Sequence, residues 1–589
     1  MREHIRLLLT QATLQIAAQE SRTIELPEFV VEPCRDRQHG DWASNIAMVS
    51  ARIFARPPRQ LAEQILQALP TDGAIASASL AGPGFINFRL KQDGGRRILS
   101  AILANPHYGN STFGNGQRIQ VEFVSANPTS ALHVGHGRGA AYGMTVANLL
   151  TSQGYEVQRE YYVNDAGRQM NILATSTFLR YLQSCGAELT FPRNGYRGDY
   201  ISDIANRIRL ERGDQFLCPV ADLYAQVPED EVTDEQGSII HGDKEAHIDG
   251  LIDASRRLLG EESYQVFFRA ALDSILGDIR SDLAEFGVHY DCWYSERSLV
   301  DGGALPRALD RLRAAGATYE DNGALWFRST QYGDDKDRVL VRDNGQTTYF
   351  ASDVAYHLDK FERGFDRVLN IWGADHHGYI SRVRAALEAL GIDPARLEVR
   401  LVQFVTLWRG EEQIQMSSRS GQFITLRALR EEVGNDAARF YYILRKSEQH
   451  IDFDLQLATS QSKDNPVYYI QYAHARICSV LRNFQDRDGQ LNSDLADWSA
   501  LNGTQEQEIL QHLEQFPELT RKAAEEREPH LLAHGLKDLA AEFHAWYNQT
   551  KVLVDEIPVA QARLLLCRCT AQVLSRGLEL LGVSAPDHM

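Results

Sequence analysis

Between Val121 and Asn148 the chain reads as a buried strand (Ile119 to Phe123), a polar loop carrying Ser125, Asn127 and Thr129, and a helix opened by His133-Val134-Gly135-His136 that runs to about Ser152. Gly135, Gly137 and Gly139 fall within five residues and strip side chains from the start of that helix. A ligand can therefore reach backbone N–H groups and the positive end of the helix dipole. His133 and His136 share one face of the first turn, where imidazoles, neutral or charged, can donate to phosphate oxygens. A strand feeding a glycine-rich helix start belongs to a doubly wound parallel sheet with a nucleotide at its carboxyl edge. Taken alone, His-x-x-His on a helix is more often a packing pair or a metal fragment than a phosphate site.

At 589 residues the chain is too long for one core, and three or four domains are expected. No apolar run reaches the eighteen or so residues that span a membrane. The first 26 residues carry an apolar face at helical spacing, interleaved charges and no small-residue cleavage site, and read as a domain helix rather than a signal peptide. Seven scattered cysteines without a CxxC read as reduced thiols in the cytosol, with no structural zinc. The net charge of −18 argues against a nucleic-acid partner, and residues 463–589 are themselves acidic, with 12 Lys+Arg against 18 Asp+Glu. A local basic patch with stacking aromatics would still allow RNA binding.

The patterning divides the chain in three. Residues 1–112 read as a small α+β domain, with helices from Glu3 to Glu20 and from Asp41 to Leu69, interrupted at Pro57-Pro58, and strands Ala76 to Ala81 and Phe85 to Leu90 around the turn Gly82-Pro83-Gly84. Asp41 and Asn45 are good helix N-caps, and capping is their favoured role. Residues 113–459 read as the parallel-sheet domain, with a strand from Tyr155 to Asn164, a mostly helical insertion over about 170–300, and a second half holding a helix opened at Tyr349-Phe350-Ala351-Ser352-Asp353. Its strand Arg367 to Trp372 runs into Gly373-Ala374-Asp375-His376-His377-Gly378, where an acidic group past the carboxyl end of a parallel strand can accept from ribose hydroxyls. The alternative is a zinc cluster of Asp375, His376 and His377 with His133 and His136. A strand from Val399 to Trp408 precedes Gln415-Met416-Ser417-Ser418-Arg419-Ser420-Gly421. Residues 460–589 read as an all-helical bundle, with helices Asn465 to Asn483, Thr504 to Glu526, Glu528 to Leu553 and Pro558 to Leu581.

His133-Val134-Gly135-His136 resembles the HIGH signature of class I aminoacyl-tRNA synthetases, and the run from Glu122 through Ser125, Asn127 and Thr129 to His136 is similar to the arginyl-tRNA synthetases in particular. The resemblance extends over essentially the whole chain: the His39 to Asn45 segment resembles the family's N-terminal domain, which meets the outer corner of tRNA at the D-loop, and the aromatic residues of the bundle resemble its anticodon-binding domain. It implies ATP and L-arginine as substrates, magnesium with the nucleotide, arginine tRNA as partner, a cytoplasmic monomer and no resident metal. By position it implies His133 and His136 as catalytic, and Gly135, Gly137, Gly373, Asp375, His376, His377, Met416, Ser417 and Ser418 as ATP-binding. Glu122, Ser125, Asn127, His133, Tyr349 and Asp353 match its arginine-binding positions, and Tyr468, Tyr472, Trp546 and Asn548 its tRNA contacts.

The loop at 415–421 departs from the family pattern, because the two lysines usual in the KMSKS loop are replaced by Gln415 and Ser418. Arg419 keeps one cation there, either as the substitute that meets the departing pyrophosphate or as a surface partner for a carboxylate. Two other functions fit less of the chain: a class I-like nucleotidyl transferase acting on a small molecule, and a non-enzymatic RNA-binding relative with a dead site.

Overall fold

The computed structural model describes all residues except 1, 35, 37, 38, 71, 73, 74, 91–93, 235–237 and 415–423, and leaves out the side chains at 2, 3 and 90. Its centre is a five-stranded sheet: β1 (Arg118–Phe123), β2 (Glu156–Val163), β3 (Cys292–Ser295), β4 (Arg367–Gly373) and β5 (Leu397–Val402). All four pairings are parallel and the spatial order is β5-β4-β1-β2-β3. The chain winds outward from β1 in one direction through β2 and β3, then returns to its other side with β4 and β5. Between β1 and β4 the connections diverge, which opens a crevice at the carboxyl ends of the strands.

Two helices bring side chains to that crevice. α1 (Val134–Ser152) follows β1, and α2 (Tyr349–Glu362) precedes β4. α1 is buried almost all round. A Cβ at Gly143 would lie 2.3 Å from the Phe123 ring, so this helix can only close on β1 with glycine there. α2 is N-capped by Thr348, whose hydroxyl accepts from Ala351 N, and its inner face carries Phe350, Val354 and Leu358 into a second core.

β3 lies inside the stretch expected to be insertion. Four residues with no alternation carry no strand signal, and the edge of the sheet is completed only by pairing with Glu160 to Val163. The expected single strand from Val399 to Trp408 is two: β5 stops at Val402, and Val405–Arg409 joins a separate three-stranded sheet with Glu412–Ile414 and Ile451–Asp454. Gln403-Phe404 is the break, and Phe404 stands 61 % exposed.

The N-terminal unit packs helices Arg2–Gln19, Ile46–Phe54 and Pro58–Ala68 on an antiparallel sheet of Val31–Pro33, Trp42–Ser44, Phe85–Leu90 and Ile75–Ala81. The helix expected from Asp41 begins only at Ile46, because Trp42–Ser44 pairs with Phe88 to Ile86 as a strand. Asn45 occupies the N-cap position without capping; its Oδ1 accepts from Val30 N at 2.8 Å and ties the helix start to the preceding chain. Helix Gly94–Ala104 packs away from this unit: Gln572 donates to Ile102 O at 2.7 Å, from the last helix of the bundle.

The bundle consists of Pro466–Gln485, Thr504–Glu526, Pro529–Gln549 and Ile557–Leu581. α1 lies against it. Tyr142 donates to Arg527 O at 2.7 Å, Asn148 to Leu580 O at 3.3 Å and Thr145 to Leu581 O at 3.4 Å.

Candidate active site

The crevice is a cavity of about 730 Å³. It gathers Glu122, Ser125, Asn127, His133, Gly135, His136, Tyr349, Asp353, Gly373, Asp375 and His376 from five different parts of the chain. Gly137 and His377 are not on its wall, and Met416, Ser417, Ser418 and Arg419 lie outside the described residues.

At one end the loop after β1 turns sharply, with Val124 at φ 69° and Ser125 at φ 42°, a left-handed conformation that residues with a Cβ adopt only when their surroundings compel it. His133 then caps α1: its Nδ1 accepts from Gly135 N at 3.1 Å, while His136 Nδ1 accepts from His133 N at 3.2 Å. The two rings stack with centroids 3.7 Å apart. Both Nδ1 atoms are acceptors, so both rings carry their proton on Nε2. Burial lowers both pKa values, that of His136 to about 3 with help from His133, and both rings are neutral donors at neutral pH.

The glycines divide the work differently from their spacing. A Cβ at Gly135 would sit 2.9 Å from His133 Cε1, so this glycine admits the folded-back imidazole. At Gly137 a Cβ would meet Leu426 Cδ1 at 2.7 Å and the Tyr442 ring at 2.9 Å, so its bareness serves packing and not a ligand. Gly139 lines the cavity with open space around it. Past β4, the Asp375 carboxylate folds back to within 2.5 Å of where a Gly373 Cβ would be. Asp375 and His376 are exposed, 3.6 Å apart. A zinc cluster with His133 and His136 would require these two rings to give up Nδ1 bonds that form the start of α1. Segment 415–423 leaves from Ile414 and returns at Ile424, whose carbonyl accepts from Val134 N at 3.1 Å, next to the histidines.

The other end is acidic. Glu122 closes β1, and its Oε1 accepts from Ser125 Oγ at 3.0 Å. Ser125 Oγ also accepts from Tyr162 N at 3.1 Å, so this hydroxyl braces the loop between two strands. Glu122 Oε2 is 2.5 Å from Lys360 Nζ, a buried ammonium on α2. Glu122 therefore already has a counter-ion within the protein. Asp353 accepts from the Tyr379 hydroxyl. Asn127 Oδ1 accepts from Asn164 Nδ2 at 2.8 Å.

Sequence reasoning missed Glu296. It follows β3, lines the cavity, is 6 % exposed, and its Oε2 has no hydrogen-bond partner among the described residues. Burial, then Asp353 and Asp165, push its carboxyl up to about 7. Asp353 is likewise pushed up to about 7, chiefly by burial and further by Glu122. Two carboxyls raised this far in one cavity mark a place where a cation is wanted. Among the described residues no lysine or arginine lines the cavity.

In the bundle, Tyr468 and Tyr472 stack at 5.9 Å with planes 9° apart, and Arg476 lies over both Tyr472 and Tyr547 at 4.6 and 5.1 Å. Trp546 is corrected: it is fully buried, with Nε1 donating to Glu506 at 2.8 Å, and cannot reach a base. Asn548, two residues on, is exposed.

Three family models match the chain. The arginyl tRNA synthetase N terminal domain matches residues 3–90, the catalytic domain of class I (R) tRNA synthetases 98–188 and 260–454, and the DALR anticodon binding domain 470–589. An arginine–tRNA ligase of Hydrogenovibrio crunogenus is 55% identical over 566 residues, covering 96% of this chain and 95% of the relative. Another, from Acinetobacter baylyi, is 57% identical over 564 residues and 94% of each chain. The fold matches that of the Thermus thermophilus arginyl-tRNA synthetase with a TM-score of 0.74 at 23% identity, over 100% of both chains. With all three domains matched and curated relatives aligned from end to end, the chain belongs to the arginyl-tRNA synthetases of class I.

Proposed function

We propose that the protein is an arginine–tRNA ligase whose crevice holds ATP against the two histidines and the arginine side chain against Asp353 and Glu296. The arginine carboxylate attacks the α-phosphorus of ATP in line, displacing pyrophosphate. A terminal ribose hydroxyl of the tRNA then attacks the adenylate carbonyl and releases AMP. Neither step calls for a protein nucleophile; positioning and charge stabilisation supply the rate. The reading is supported by the polarity of the cavity, which has neutral N–H donors at a helix start at one end and strained carboxyls at the other.

In this reading Nε2–H of His133 and His136 donates to phosphate oxygens, Gly139 and Gly373 let the nucleotide close in, and Asp375 accepts from the ribose. Both histidines are neutral and no lysine or arginine lines the cavity among the described residues, so the phosphate charge suits magnesium carried in with ATP and Arg419 supplied by the loop. Tyr468, Tyr472 and Asn548 are proposed to meet tRNA, the rings by stacking. We further propose a cytosolic monomer; its seven cysteines are all unbonded, as suits a reducing compartment, and among the described residues no helix is long and apolar enough to cross a membrane.

The test is charging of total tRNA with each labelled amino acid in turn, with ATP and magnesium. Arginine alone is expected to be charged, and Arg419→Ala to lower kcat by about 10²–10³-fold if it meets the leaving pyrophosphate. Binding of tRNA without charging by any amino acid would instead make the protein an RNA-binding relative.

A pH profile tests the acidic end. Guanidinium binding needs ionised Asp353 and Glu296, both near 7 in the empty cavity, so kcat/KM for arginine should fall as pH drops through about 7. Bound arginine favours the charged forms, so kcat should hold to lower pH. An arginine kcat/KM that stays level down to about pH 5 would exclude both groups.

A further inference from the structure

Lys360 has no exposed surface, yet it is committed entirely to one wall of the cavity. Its Nζ lies 2.5 Å from Glu122 Oε2 and 2.9 Å from Asn370 Oδ1, and stands 4.2 Å over the Tyr356 ring. Asn370 Nδ2 is 2.8 Å from His357 Nε2, and His357 Nδ1 is 2.8 Å from Asp353 O. The ammonium is thus linked through two side chains to the backbone of the residue that faces the substrate. The other charged or titratable groups around it are Glu160, paired with Arg363 on the far side of Tyr356, the neutral His357, and Asp353 itself, whose pKa burial raises and the ammonium lowers.

A buried ion pair is a poor way to stabilise a fold, since two apolar side chains of like volume do as well or better. This pair also sits where a pair is least needed for packing, because Glu122 lines the cavity. Both of its oxygens already hold donors, Ser125 Oγ and Lys360 Nζ, and the couple is neutral as a unit. What remains to face a substrate is Asp353 and Glu296. Burial pushes both up to about 7 in the empty cavity, and an incoming guanidinium is what would favour their charged forms.

We propose that Lys360 is a positioning residue for arginine: it withdraws Glu122 into an internal ion pair, leaves Asp353 and Glu296 as the carboxyls that face a guanidinium, and directs that guanidinium onto Asp353. The inference rests on the reading of this cavity as the arginine site.

The experiment is a double-mutant cycle of Lys360→Met, Glu122→Gln and the two combined, with KM and kcat for arginine in tRNA charging and thermal unfolding of each variant. Glu122→Gln leaves a buried ammonium facing the incoming cation, and KM for arginine should rise roughly a hundredfold. Lys360→Met releases Glu122 as a further carboxylate beside Asp353 and Glu296 that draws the guanidinium off Asp353, and kcat should fall with no rise in KM. With both charges gone, KM and kcat should return to within about tenfold of wild type. An equally raised KM in Glu122→Gln and the double variant would overturn the proposal, because Glu122 would then be binding arginine directly. So would single variants that lose melting temperature but keep KM and kcat. If Lys360→Met does not fold, the comparison of Glu122→Gln with the double variant still decides. Wild-type protein that fails to charge arginine in the same assay would refute the site reading itself, a separate result.

Discussion

Replacing Asp353 by asparagine is expected to raise KM for arginine by about a hundredfold or more while leaving KM for ATP within a few-fold, as measured by initial charging rates. Asparagine keeps the shape of the side chain and its carbonyl still accepts from the Tyr379 hydroxyl, so α2 and the cavity wall should stay in place. What is lost is the ionised partner of a desolvated guanidinium. Truncating one member of such a pair costs about 2–5 kcal/mol, or roughly 30- to several-thousand-fold. The same variant should narrow the discrimination against citrulline. Wild type favours arginine over this neutral isostere because only the guanidinium supplies a cation to Asp353, an advantage asparagine removes. An unchanged arginine KM would remove Asp353 from the substrate site.

His136→Ala should act on the opposite end and on the other kinetic constant. The imidazole performs two tasks: Nδ1 accepts from His133 N and holds the first turn, and Nε2–H is left as a donor toward the crevice. Loss of a donor aimed at transition-state charge lowers kcat by about 10²–10³. Loss of the cap costs about 0.5–2 kcal/mol of stability. Adenylate formation in the presence of tRNA should therefore fall by at least two orders of magnitude with KM for arginine little changed, and denaturant unfolding should shift modestly. Since burial holds His136 near 3, this imidazole does not titrate between about pH 6 and 8, and burial lowers His133 as well. A His136→Ala enzyme with near-normal kcat would leave the phosphate end without its proposed donor.

Local periodicity disclosed the helices of the bundle, α1 and the strands β1, β2 and β4, because each is long enough to carry its own apolar pattern. It was weak where an element exists only by virtue of its neighbours. Trp42–Ser44 and β3 are three and four residues long and are strands because a partner offers them hydrogen bonds. Missing β3 meant missing Glu296, which stands just past its end like Glu122 and Asp375 stand near the ends of β1 and β4. Lys360 was invisible for a related reason: it meets Glu122 across 238 positions, and nothing on α2 distinguishes it from a surface lysine. Trp546 went astray in the reverse sense, an amphipathic ring whose N–H found Glu506 inside the bundle. The family resemblance placed Glu122 and Asp353 at one site, and the ion pair in the structure separates their parts.

α1 has a mechanical consequence. Nineteen residues make a rod about 28 Å long. One end carries the histidine pair; Tyr142, Thr145 and Asn148 farther along are pinned to the backbone of the helical bundle. Such a rod bends little over its length, so the seat that the bundle gives its far part also fixes where the two imidazoles stand and where their N–H groups aim. The helix works as a gauge: the far domain sets the zero, and the phosphate end reads it.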